Sequence, residues 1–194
     1  MKRIKLISKS FYLGSIIGAG IPGAILSVIG ILQIEEDLGP IVVVLGLLLI
    51  VYASVIWLIL LNKLWKTIEG EQARTTSGKA VGFLFIPFFN YYWIFQAIWG
   101  WAQDFNRFTT ENKLSAPRVS EPIALTICIL SLVSVIPIVG FFTIIAVFVL
   151  VIIFILQAIN AVNETRQALM QSGHPYSSRI QTKKTLTPEA RKCR

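Results

Sequence analysis

The chain has 194 residues, of which 55% are hydrophobic and 14% charged, and a net charge of +8 at pH 7. Soluble domains carry about 25% charged residues. Here the charges fall almost wholly between long apolar runs, which excludes a large soluble domain and predicts an all-α integral membrane protein.

The N-terminus, MKRIKLISKS, precedes an apolar run from Phe11 to Leu32. That run exceeds the ~7–15 residues of a signal-peptide core and is read as a retained first span. It carries Gly14, Gly18 and Gly23 at four- and five-residue spacing. Small residues so placed let two helix backbones approach closely, either inside one bundle or along a dimer seam. Pro22 predicts a kink.

A second span is expected over 40–61. The loop before it carries Glu35, Glu36 and Asp37 and no positive charge.

Residues 79–108 are the most unusual stretch. The apolar text is interrupted by Pro87 and Asn90, then by Gln96, Gln103 and Asp104, and it holds Tyr91, Tyr92, Trp93, Trp99 and Trp101. This predicts a Pro-broken helix that re-enters or lies in the membrane interface. A single Pro-kinked crossing is the alternative. Charge separates the two. If 79–103 returns to the side it entered from, all 18 Lys and Arg lie on the cytoplasmic side, as the positive-inside rule favours. A single crossing sends Arg107, Lys113, Arg118 and the tail outside. Re-entry further predicts that 86–90 packs against other helices, because irregular backbone at membrane depth needs cover. On the return helix, Gln96, Gly100, Gln103 and Arg107 share a face, which either lines a solvated groove or faces the headgroup layer. Asp104 and Arg107 are expected to form an exposed pair.

The apolar stretch from Pro122 to Val162 would measure about 60 Å as one helix, twice the hydrocarbon thickness. It must fold back, with the turn expected at residues 136–140, giving spans over 122–136 and 140–162. The text Ile155-Leu156-Gln157-Ala158-Ile159 echoes Ile94-Phe95-Gln96-Ala97-Ile98. From 165 to 194 the chain turns polar and basic and is expected to be a disordered cytoplasmic tail. Such a tail is attracted to anionic phospholipids; no recognition motif for nucleic acid accompanies it, and no nucleic-acid partner is expected.

Four spans plus the broken helix within residues 1–164 is therefore the expected fold. No phosphate-binding, dinucleotide-binding, metalloprotease or serine-hydrolase motif occurs. His174 has no Cys or carboxylate cluster beside it, Cys128 and Cys193 do not make a disulfide framework, and Cys193 is not placed as a prenylation site. No catalytic group, cofactor or metal is expected. The candidate functional segment is Pro87, Asn90, Trp93, Gln96, Gln103 and Asp104. The expected role is a non-enzymatic scaffold or subunit of a membrane complex, as a homo-oligomer or with another subunit. A small-solute path near Pro87–Asn90 is the alternative.

The block Gly82-Phe-Leu-Phe-Ile-Pro-Phe-Phe-Asn-Tyr-Tyr-Trp93, followed by a Trp-containing helix, resembles a group of small bacterial multi-pass membrane proteins classed as a domain of unknown function. The resemblance covers about 28 residues. It implies a bacterial inner-membrane protein, with both termini cytoplasmic on the charge argument, and brings no activity with it.

Overall fold

A computed structural model describes residues 6–70 and 73–171. Those residues form helices and connecting turns, with no strand among them. Three helices are long and apolar enough to cross a membrane.

Helix α1 spans Lys9–Leu32 and α2 spans Gly39–Ile68. Ser8 caps α1 by accepting from the Phe11 N–H, and Pro40 stands in the first turn of α2, where its missing donor costs nothing. The two helices run antiparallel and very close. A Cβ on Gly23 would lie 2.9 Å from the Gly46 carbonyl, one on Gly30 2.6 Å from the Val43 nitrogen, and one on Gly46 2.4 Å from Ser27 Oγ. These contacts leave no room for a methyl group, so glycine sets the helix spacing. Pro22 is accommodated inside α1, whose helical assignment continues through it.

The next segment is a helical hairpin. Helix α3, Ser77–Gly82, runs into a 3₁₀ turn, Phe83–Phe85. The chain reverses at 86–88 and returns as α4, Phe89–Ile94, a π-helical turn, Phe95–Trp99, and α5, Gly100–Glu111. A straight helix would separate Ala80 from Trp93 by about 20 Å. Instead Trp93 Nε1 donates to the Ala80 carbonyl at 3.0 Å. The Phe83 ring packs edge-on against Phe89 and Trp93.

Helix α6, Glu121–Val133, and helix α7, Pro137–Gln171, complete the chain. The expected break near Pro137 occurs, but the turn lies at 134–136 and Pro137 opens α7. Proline's fixed φ suits the first helical position better than the middle of a turn that must be followed by helix. Helix α6 is consequently shorter than the expected 122–136 span. Helix α7 continues past the expected tail boundary at 165 to Gln171; the rest of the expected tail lies outside the described residues.

Packing is uneven along the bundle. At one end Leu60, Leu61, Leu64, Trp65, Trp101, Phe105, Ile127, Phe154, Ile155 and Ile159 are all buried. At the other, α1, α2 and α7 expose apolar side chains on most of their surface: Ile25, Val28, Leu45, Leu48, Phe142 and Ile145 are examples. Three independent contacts gather the start of α1, the end of α2 and the C-terminal part of α7 at the packed end. Ile7 exchanges two backbone hydrogen bonds with the Asn163 amide, Lys63 reaches Tyr12, and Arg166 reaches Thr67.

Candidate functional site

The hairpin divides the candidate residues into two groups. Pro87 and Asn90 lie at the tip. Gln96, Gln103 and Asp104 lie at the base, and Trp93 ties the two arms together between them.

At the tip the chain reverses through a tight turn in which the Phe89 N–H donates to the Pro87 carbonyl at 2.7 Å. Phe88, at its centre, has φ 63°, a region that costs a non-glycine residue of order 1 kcal/mol or more. The Ile86 and Asn90 N–H groups donate to Phe83 and Ile86 carbonyls, and Pro87 has no N–H. The tip thus satisfies these donors from within. That corrects the expectation that 86–90 would be packed under other helices. Phe88 is 86% exposed, and Phe85, Ile86 and Phe89 are exposed with it. Hydrogen bonds within the turn take the place of neighbouring helices for the Ile86, Phe89 and Asn90 N–H groups. Asn90 Oδ1 is buried without a partner.

At the base, the organising residue is Arg74, in the loop before α3. Its backbone N–H donates to Asp104 Oδ2 at 3.0 Å, and Nε and Nη2 donate to the same carboxylate at 2.9–3.1 Å. Nη1 donates to Gln96 Oε1 at 3.3 Å, and Nη2 to Gln103 Oε1 at 3.1 Å. The guanidinium lies across Gly100, where a Cβ would stand 2.9 Å from Nη1. The stripe of Gln96, Gly100 and Gln103 is therefore a seat for one side chain, with glycine providing the room. Arg107 adds a bond to Asp104 at 3.1 Å. The expected Asp104–Arg107 pair exists, but it is not an exposed pair: the Asp104 side chain is only 2% exposed, and its main partner is thirty residues upstream.

The π turn beside this seat has a packing origin. Its bulge frees carbonyls from the regular ladder, and neighbouring helices take them up. Trp65 Nε1 on α2 donates to the Ala97 carbonyl at 3.0 Å, and the Cys128 thiol on α6 approaches the Ile94 carbonyl at 3.5 Å. The Gln157 of the sequence echo accepts from the Ser120 N–H at 3.1 Å, a different role from that of Gln96.

Of the glycines singled out in α1, only Gly23 packs against another helix. Gly14 and Gly18 have nothing within 4 Å of an added Cβ. Internal packing therefore explains Gly23 and leaves the Gly14–Gly18 pair on an open face. Sequence reasoning missed Arg74 and Trp65 as site residues. The signal for Arg74 was present: an isolated arginine in a polar linker, shortly before a Gln-x₃-Gly-x₂-Gln-Asp stripe.

No protein-family model, curated protein or solved structure matches this chain.

Proposed function

We propose that this chain is a non-enzymatic multi-pass protein of a bacterial inner membrane, serving as a scaffold or subunit of a membrane complex. In this reading α1, α2, α6 and α7 cross, the hairpin from Ser77 to Glu111 re-enters, and both termini are cytoplasmic. The observation that carries it is the use of Gln96, Gln103 and Asp104 by Arg74. Groups that would have lined a solute path instead bind an arginine from the same chain, and they pin the hairpin's two ends together at one level. The tip opposite exposes Phe85, Ile86, Phe88 and Phe89, and the Ile86, Phe89 and Asn90 N–H groups there are bonded within the turn, which suits a hydrocarbon environment.

Chain geometry supports the count of crossings. The start of α1 and the ends of α2 and α7 meet at the packed end. A hairpin that returns leaves α6 to carry the chain across before α7. Its 13 residues span about 20 Å, short of the ~30 Å hydrocarbon core, a mismatch that local thinning of the bilayer or snorkelling of flanking residues would accommodate. The resemblance to small bacterial inner-membrane proteins agrees with the location.

The test is gentle extraction and mass measurement. A stoichiometric partner or a defined homo-oligomer is the expected result. A lone monomer that moves or converts a solute in vesicles overturns it. The buried, unpartnered Asn90 Oδ1 is the one observation that favours a solute path at the tip. An Asn90→Leu variant that abolishes solute flux in reconstituted vesicles would establish that second reading.

A further inference from the structure

We infer that the hairpin makes this chain a membrane wedge, which widens one leaflet and favours a bilayer that is convex on the side of the packed end. The inference rests on the re-entrant topology proposed above. There α1, α2, α6 and α7 pass through both leaflets, and the hairpin adds two further arms to one leaflet alone.

The depth of the hairpin follows from its bonds. Asn62 Nδ2 on α2 donates to the Ser77 carbonyl at 3.0 Å. That contact sets the start of α3 beside the end of the α2 apolar run at Leu61. Trp65 Nε1, one turn further along α2, holds the returning arm at the Ala97 carbonyl. From Ser77 to Pro87 the outgoing arm can advance by about 15 Å at helical rise, half of the ~30 Å hydrocarbon core. Burial along α2 changes accordingly. Leu60, Leu61 and Leu64 are buried, whereas Leu45, Leu48 and Val51, towards its other end, are exposed.

Two features hold the hairpin at this depth. The seat of Arg74 on Gln96, Gln103 and Asp104 keeps the base polar, so the base resists sinking into hydrocarbon. Phe85 and Phe88, 69% and 86% exposed, resist leaving it. Between base and tip the arms are tied together. Trp93 bonds to the Ala80 carbonyl, the Phe89 ring stacks on Trp93 with centroids 5.5 Å apart, and Phe83 packs edge-on against both. A close-packed body of this kind yields little, so the lipid must accommodate it. Two helical arms about 10 Å wide occupy roughly 160 Å² of one leaflet, with no counterpart from this hairpin in the other. Misfit between protein and bilayer is enough to sort proteins among membranes. Here the misfit lies between the two leaflets, and outward bending on the packed-end side relieves it.

The test is orientation in vesicles. Full-length protein carrying a single cysteine at Ser115 or at Glu36, both exposed, with Cys128 and Cys193 replaced, is reconstituted by detergent removal into small and into large phosphatidylcholine vesicles. This lipid has no net charge, so basic residues have no anionic surface to select. An impermeant thiol reagent counts packed ends facing out at the Ser115 position and opposite ends facing out at the Glu36 position. The ratio of the first to the second should rise about twofold or more from large to small vesicles, because the strongly curved outer leaflet favours the orientation that fits it. An unchanged ratio overturns the proposal. The F85S/F88S variant makes the tip polar and should flatten the rise; F85L/F88L keeps it apolar and should retain the rise. Equal rises in the two variants overturn the assignment to the hairpin. Should F85S/F88S fail to fold, F88S decides: a smaller rise supports the wedge, and an unchanged rise overturns it. Failure of the topology reads differently. If the chain crosses once between Gly78 and Ser115, the Ser115 and Glu36 positions lie on the same side. Their labelled fractions then match in every preparation instead of being complementary, and the wedge falls with the topology.

Discussion

Arg74 holds Asp104 twice, once through its backbone N–H and again through its guanidinium. The Asp104 side chain is 2% exposed and that of Arg74 32%, so the pair is partly desolvated and solvent screens it only in part. Removing the carboxylate leaves the Arg74 backbone N–H and Nε without their acceptor and the guanidinium without its counter-charge, while Nη1 and Nη2 keep Gln96 and Gln103. Asp104→Ala should therefore cost about 2–3 kcal/mol, read as a shift in denaturant unfolding in detergent. Arg74→Lys keeps the charge but loses the fork that spans Gln96, Gln103 and Asp104, and should recover no more than half of that stability.

The tip makes a prediction of opposite sense to the usual glycine rule. At φ 63° a side chain is strained, whereas glycine is not. Phe88→Gly should be more stable than Phe88→Ala by about 1 kcal/mol, measured by the same unfolding assay. Ala above Gly, the helical order, would mean that the turn does not hold this conformation.

Helix spacing in the α1–α2 pair depends on particular glycines. Gly46→Ala places a methyl against Ser27 and the Gly23 carbonyl, mostly backbone that cannot move aside. It should cost about 1–3 kcal/mol. Gly14→Ala and Gly18→Ala meet open space and should be neutral or slightly stabilising, since alanine is the better helix former. Comparable losses at all three positions would contradict the packing described.

Trp65→Phe removes the indole donor while keeping an aromatic ring. The Ala97 carbonyl, buried in the π turn, then loses the partner that takes it up. The expected loss is about 1–3 kcal/mol, with amide exchange faster in Phe95–Trp99 than in the rest of α5.

Composition and apolar run length made α1, α2 and α7 legible, because spanning a bilayer constrains every residue over twenty positions. The reversal at Pro87 and the break before Pro137 were legible because proline lacks the N–H that an interior helical position uses, although α1 continues through Pro22. What the sequence did not disclose depends on the approach of distant segments. Asp104 and Arg107 are three residues apart and suggest a local pair, yet the closer partner is Arg74, brought in by the fold. The π turn likewise follows from Trp65 and Cys128, on helices that local text cannot place. The exposed tip was misjudged because cover by neighbours was assumed, whereas the Ile86, Phe89 and Asn90 N–H groups find acceptors within the turn itself.

Side-specific cysteine labelling tests the re-entrant topology most directly. Single cysteines go at Glu36, Gly78 and Ser115, with Cys128 and Cys193 replaced. Glu36 and Gly78 are exposed positions flanking α2, a Cβ at Gly78 meets nothing within 4 Å, and Ser115 is exposed beyond α5. An impermeant thiol reagent should modify only the Glu36 position in intact cells, and the other two after the membrane is opened. Modification of the Ser115 position in intact cells would contradict the account, because the chain would then cross once between Gly78 and Ser115.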